Sequence, residues 1–280
     1  MEELVTEFLI NGIGFALLLS VVLCGAIRFG LGPENGAKLA GAAIALAFLA
    51  TYANLLDWPP FPPLSATQKI AYLVLFGLII GLALDLLKKR RLLRPALVLF
   101  PAVIIGWIGW RQLTSSNIEG VSIMAGLWLA GAFVFLRLQA VSENPNPHAA
   151  VLVLAASVGA AIVSFLGAAA SQAQLMGILA ASVGGFLLWN WPTPRLAFSG
   201  AAIFGSGTAL LAVATTIILY SDVSKLALLL IIPVFLAPAV LANNQIVNRP
   251  ALGSLAIGGV TLIPVAIATA IAFFFLDGSQ

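Results

Sequence analysis

The sequence predicts an all-α, polytopic membrane protein of about ten transmembrane helices with both termini outside. Three observations carry this. The chain of 280 residues is 61% hydrophobic and only 8% charged, with a mean hydropathy of +1.11; a soluble domain needs far more polar surface. Apolar runs of spanning length recur from end to end, about 20 residues being needed to cross ~30 Å of hydrocarbon. The cations are distributed unequally between alternate connections. No stretch is left for a soluble unit, so residues 1–280 form one integral membrane domain.

The first span, 8–27, follows a stretch carrying Glu2, Glu3 and Glu7 and no cation. That is the wrong charge for the start of a cleaved signal, so this run is expected to remain a spanning helix. Gly-Leu-Gly-Pro-Glu-Asn-Gly at 30–36 breaks the chain before the second span, 37–56. Trp-Pro-Pro-Phe-Pro-Pro at 58–63 separates it from the third, 66–87. Four consecutive cations, Lys88 to Arg91, precede the fourth, 93–110. The fifth, 121–138, ends before Glu-Asn-Pro-Asn-Pro at 143–147, and the sixth is 148–167. The seventh, 172–190, runs into Asn-Trp-Pro-Thr-Pro at 190–194, and the eighth, ninth and tenth are 196–219, 223–242 and 254–276. The separators are turn-forming clusters.

Orientation follows from the basic residues. Arg28, Lys38, Lys88, Lys89, Arg90, Arg91, Arg94, Arg137, Arg195 and Arg249 fall on one set of connections; Lys69, Arg111 and Lys225 fall on the other. The richer set is expected in the cytoplasm. Trp58, Trp107, Trp110, Trp189 and Trp191 lie near span ends, where indoles favour the interface. Gly77 and Gly81 form a small-xxx-small pair that permits close helix approach.

Several functions are excluded or disfavoured. The cations flank helix ends and form no basic face, so nucleic acid is not a partner. His148 is the single histidine and Cys24 the single cysteine, which leaves no zinc ligand set. No Gly-x-Ser-x-Gly elbow or Gly-x-x-x-x-Gly-Lys loop occurs. No convincing internal repeat is found, which disfavours transporters built from two related halves.

Candidate chemistry lies on the cytoplasmic side, where the only acids are Glu34, Asp85 and Glu143. Asp85 ends an apolar run and faces two readings: an ion pair with Lys88 or Lys89 at helical spacing, or part of a reactive site. The cations on this side either set topology alone or hold a lipid phosphate or nucleotide diphosphate.

Three segments together resemble the polyprenyl-phosphate N-acetylhexosamine-1-phosphate transferases, the family of phospho-N-acetylmuramoyl-pentapeptide transferase (glycosyltransferase family 4). Residues 185–196, Gly-Phe-Leu-Leu-Trp-Asn-Trp-Pro-Thr-Pro-Arg-Leu, resemble the family's Gly-Phe-Leu, Asn-aromatic-Pro-Pro, Ala-Lys/Arg-Ile run. Gly81-Leu-Ala-Leu-Asp85 resembles Gly-Leu-Ile-Asp-Asp, and Lys38-Leu-Ala-Gly41 resembles Arg-Leu/Met-Gly-Gly. Pro233-Val234 is similar to a Pro-Val/Leu start in the ninth helix. These occur in chain order over nearly the whole length. The resemblance implies magnesium-dependent transfer of a sugar phosphate from a UDP-sugar to a polyprenyl phosphate, with release of UMP, at a site facing the cytoplasm of a bacterial inner membrane.

The chain departs from the family where the metal would bind. Leu84 replaces the first aspartate of the pair, Pro145 falls on the magnesium-binding aspartate with Glu143 close by, and Ser199-Gly200 falls on a Gly-Asp. The histidine-rich connection is reduced to residues 243–249, without histidine. Leucine, proline and glycine side chains cannot ligate magnesium or accept a proton, so nearly all of the rate should be lost. The expectation is a non-catalytic protein with no cofactor, binding membrane lipid, a polyprenyl phosphate or other envelope-glycan proteins. Lys38, Arg137, Asn190, Arg195 and Arg249 are then the residues for phosphate or carrier. Two rivals remain: an active transferase whose Asp85 and Glu143 hold magnesium, with Arg137, Arg195 and Arg249 on the phosphates, and a ten-helix small-molecule transporter.

Overall fold

The computed structural model describes residues 9–87, 90–114, 118–143, 146–242 and 250–277, and all regular structure among them is helical. A π-helical turn, Leu9–Gly14, leads into α1, Phe15–Gly30. Then come α2 (Gly32–Leu39), α3 (Ala42–Leu56), α4 (Ala66–Leu87), α5 (Arg90–Ile108) and α6 (Trp110–Thr114). They are followed by α7 (Ile118–Ser142), α8 (His148–Leu166), α9 (Ala170–Trp189) and α10 (Gly200–Tyr220). The chain closes with α11 (Lys225–Leu229), a 3-10 turn (Ile232–Leu236), α12 (Ala237–Val240) and α13 (Pro250–Asp277).

Seven of these helical runs are long and apolar enough to cross a membrane, and eight if α2 and α3 count as one bent span. The apolar helix Leu93–Ile108 and the run Lys225–Val240 occupy the other two predicted positions but are shorter. The second predicted span bends by 52° between α2 and α3, where Ala43 and Ile44 donate to the carbonyls of Ala40 and Gly41 in a tight turn. The ninth predicted span is broken because Pro233 and Pro238 lack the amide that a continuous ladder requires.

α10 is the central helix and is buried along nearly its whole length. Glycine and alanine make this possible. A Cβ on Gly41 would lie 2.7 Å from the Cβ of Ala202, and one on Gly81 would lie 2.7 Å from the Cα of Ala201, so the start of α3 approaches α10 across no more than a methyl group, and α4 meets its backbone directly. Larger contacts fill the rest: Phe204 packs against Phe100 and Phe135 at ring separations of 5.8 and 5.6 Å. The buried hydroxyls of Ser206, Thr208, Thr215 and Thr216 each donate to a carbonyl four residues back. A polar group in an apolar bundle needs such a partner.

The two ends of the bundle differ. At one, Lys69 Nζ donates to the Trp107 carbonyl at 2.8 Å and the Tyr220 hydroxyl to the Ile108 carbonyl at 2.9 Å. Both close the C-terminus of α5, whose last carbonyls lack intrahelical donors. Asp85 lies at the other end.

Candidate functional site

The site is assembled from three loops and helix ends. Asp85 sits in the last turn of α4, one turn beyond Gly81. Because Gly81 lets α4 close on the start of α10, the Asp85 carboxylate reaches that helix's first amides. Oδ1 accepts from Gly200 N at 2.9 Å and Oδ2 from Ala201 N at 2.8 Å. A helix N-terminus exposes unpaired amides and the positive end of its dipole, so an anion is favoured there.

Ser199 occupies the N-cap position of α10 yet makes no side-chain cap. Its hydroxyl instead donates to the Lys38 carbonyl at 2.6 Å, near the end of α2. Ala197 N also donates to the Ala37 carbonyl at 2.9 Å. The loop before α10 is therefore tied to α2, and Asp85 performs the capping that Ser199 has given up.

Asn190 fixes the same loop from its other end. The side chain is buried, only 2% exposed. Its Oδ1 accepts from the amides of Arg195 and Leu196 at 2.8 and 2.9 Å, and its Nδ2 donates to the Phe186 carbonyl at 3.3 Å. The peptide between Trp191 and Pro192 is cis. Leu196 and Phe198 are buried, with Phe198 edge-on to Phe186 at 5.9 Å. The three segments that carry the family resemblance thus meet at one end of the bundle.

Other sequence candidates lie elsewhere or have different work. Lys38 and Arg195 are exposed and belong to the chain segments that build the site. Arg137, half-buried in α7, donates from Nε to the Phe235 carbonyl at 3.3 Å. Glu143 is exposed in the turn after α7, a helix that packs on α10 with Gly131 against Leu211 and Phe135 against Phe204. Arg249, Lys88, Lys89 and Pro145 lie outside the described residues, and with them the proposed Asp85–lysine ion pair.

Magnesium, which the resemblance implies, does not fit the donors at Asp85. Magnesium takes near-octahedral oxygen ligands, with one or two carboxylates and substrate phosphates. Here a single carboxylate receives two amide protons at the positive end of a helix. Among the described residues no three His, Cys, Asp or Glu side chains gather as a metal centre would need. Gly200 is half of this arrangement: a Cβ there would lie 2.8 Å from Asp85 Oδ1.

The amide clamp was not foreseeable from Asp85 itself. Ser199 and Gly200 standing before an apolar run do form a legible helix-start signal, but nothing local shows that the cap comes from another helix. No family model matches this chain, and no curated protein matches it.

Proposed function

We propose that this chain is a non-catalytic membrane protein with the architecture of the polyprenyl-phosphate sugar-1-phosphate transferases. In this reading it binds a polyprenyl-phosphate carrier or a lipid-linked glycan intermediate in a bacterial inner membrane and serves envelope-glycan assembly. The frame is ten spans with both termini outside, α5 and the broken run 225–240 supplying the spans beyond the eight longer ones.

The observation that carries the reading is the bond from Gly200 N to Asp85 Oδ1. The resemblance puts acids at both positions. Glycine at 200 leaves no side chain to crowd or repel the Asp85 carboxylate, a Cβ there falling 2.8 Å from Oδ1, and that carboxylate is taken up in holding the fold. Lys38 and Arg195, exposed on the segments tied to the start of α10, can attract a phosphate by charge.

The test uses purified protein in vesicles containing undecaprenyl phosphate. With UDP-N-acetylglucosamine or UDP-N-acetylmuramoyl-pentapeptide and magnesium, no UMP is released. Native mass spectrometry finds the polyprenyl phosphate retained, and Lys38→Gln with Arg195→Gln weakens retention. Magnesium-dependent UMP release abolished by Asp85→Asn would instead establish an active transferase. Retention of bulk phospholipid alone would remove the carrier-binding role.

A further inference from the structure

The Lys69 end of the bundle holds a feature independent of Asp85. Between α7, α8, α9 and α10 on one side and the broken segment after α10 on the other lies an apolar cavity of about 290 Å³. Small residues hollow it out, Gly126 and Ala130 from α7 and Ala156 and Ala160 from α8. It is open at its edge, where Gly126, Leu229 and Lys225 are exposed. A Cβ built on Gly126 meets nothing within 4 Å. Lys225 is the one charged residue in the lining; Asp222, exposed in the turn before it, does not line the cavity.

We infer that this cavity holds one acyl chain of an anionic phospholipid, with the phosphate of that lipid at Lys225. The volume is near the lower limit for small-molecule pockets, about 300–1,000 Å³. A helix from another protein, about 10 Å across, cannot enter it. An unfilled void forfeits dispersion contacts along its whole wall, and its mouth lies on the flank of helices that face hydrocarbon chains in a bilayer. Such chains are narrow, flexible and present in excess. Charge sits at one end only, as a lipid's does, and its sign selects an anionic headgroup.

The experiment reconstitutes the full chain in vesicles of equal parts phosphatidylglycerol and phosphatidylcholine, without polyprenyl phosphate. One lipid at a time carries a diazirine in its acyl chain. After illumination, labelled peptides are mapped by mass spectrometry. Labelled phosphatidylglycerol marks 126–130 and Leu229 about fivefold more than labelled phosphatidylcholine, the worth of one cation at an anionic surface. Gly126→Phe, whose ring enters open space, removes most of that label, and Lys225→Gln equalises the two lipids. Even labelling around the bundle, equal labelling by both lipids in the wild type, or a second copy of the chain crosslinked through the same residues would overturn the assignment. The wild-type map decides even if Gly126→Phe folds poorly. Because no polyprenyl phosphate is present, failure here leaves the reading of the Asp85 end untouched.

Discussion

Asp85 and Gly200 are 115 positions apart in the chain, and the carboxylate of one accepts the amide of the other at 2.9 Å. Ala201 N completes the clamp at 2.8 Å. The first amides of the most buried helix in the bundle therefore depend on a side chain from α4.

Asp85→Ala removes both acceptors and leaves two amides unpaired. Each hydrogen bond to a charged group is worth about 1.5–3 kcal/mol, and a stranded buried amide costs about 1–3 kcal/mol. Loss of about 2–4 kcal/mol is expected, since water reaches part of this half-buried site. Asp85→Asn keeps one carbonyl acceptor and should cost about half as much. Thermal unfolding in detergent checks the order wild type, Asn, Ala; an unchanged midpoint for Asp85→Ala would show that the clamp contributes nothing.

Close helix approach makes a second prediction. Gly81→Ala and Gly200→Ala each place a methyl against backbone or carboxylate less than 3 Å away. Separation of α4 from α10 should cost about 1–3 kcal/mol in each variant. Gly184→Ala is the control. A Cβ there meets nothing within 4 Å, and alanine in a helix interior is favoured over glycine by about 0.8–1.0 kcal/mol. The same unfolding assay should show the first two variants less stable and the third unchanged or more stable.

The small-xxx-small spacing of Gly77 and Gly81 made the helix contact legible in the sequence, though not its partner. Long spans such as 66–87, 148–167 and 172–190 were readable because hydrophobic length and turn chemistry agree there. The broken ninth span was not, because a count of apolar residues from 223 to 242 gives no weight to the missing amides of Pro233 and Pro238. The meaning of Asp85 was hidden for a different reason. Spacing offers only neighbours such as Lys88, whereas the observed partners are backbone amides, which every sequence possesses and none displays.

Asn190 supports a third prediction. Its amide makes three hydrogen bonds that tie residues 195 and 196 back to α9. Asn190→Ala strands two amides and a carbonyl and should cost about 2–4 kcal/mol. Asn190→Asp keeps an acceptor for both amides but loses the donor and introduces a buried charge, so it should also destabilise. Limited trypsin digestion reads this locally. Arg195 is exposed, and cleavage after it should accelerate in both variants relative to cleavage elsewhere. Equal rates would show that the loop is held by Leu196 and Phe198 alone.

Arg137 links α7 to the broken segment through the Phe235 carbonyl. The reason lies in the sequence three residues on. In a 3-10 turn that carbonyl would accept the amide of residue 238, which is proline and has none. The guanidinium supplies a donor where the backbone cannot. Arg137→Leu preserves the apolar stem of the side chain but removes the donor, and should cost about 1.5–3 kcal/mol, the worth of a charged hydrogen bond. The loss should be felt on the segment rather than across the bundle, because α7 is also held to α10 by Phe135 and Gly131. Hydrogen exchange separates the two. Faster exchange at Phe235, Leu236, Ala237 and Ala239 with unchanged exchange in α10 is expected; a uniform rise through both would assign Arg137 to the stability of the whole fold instead.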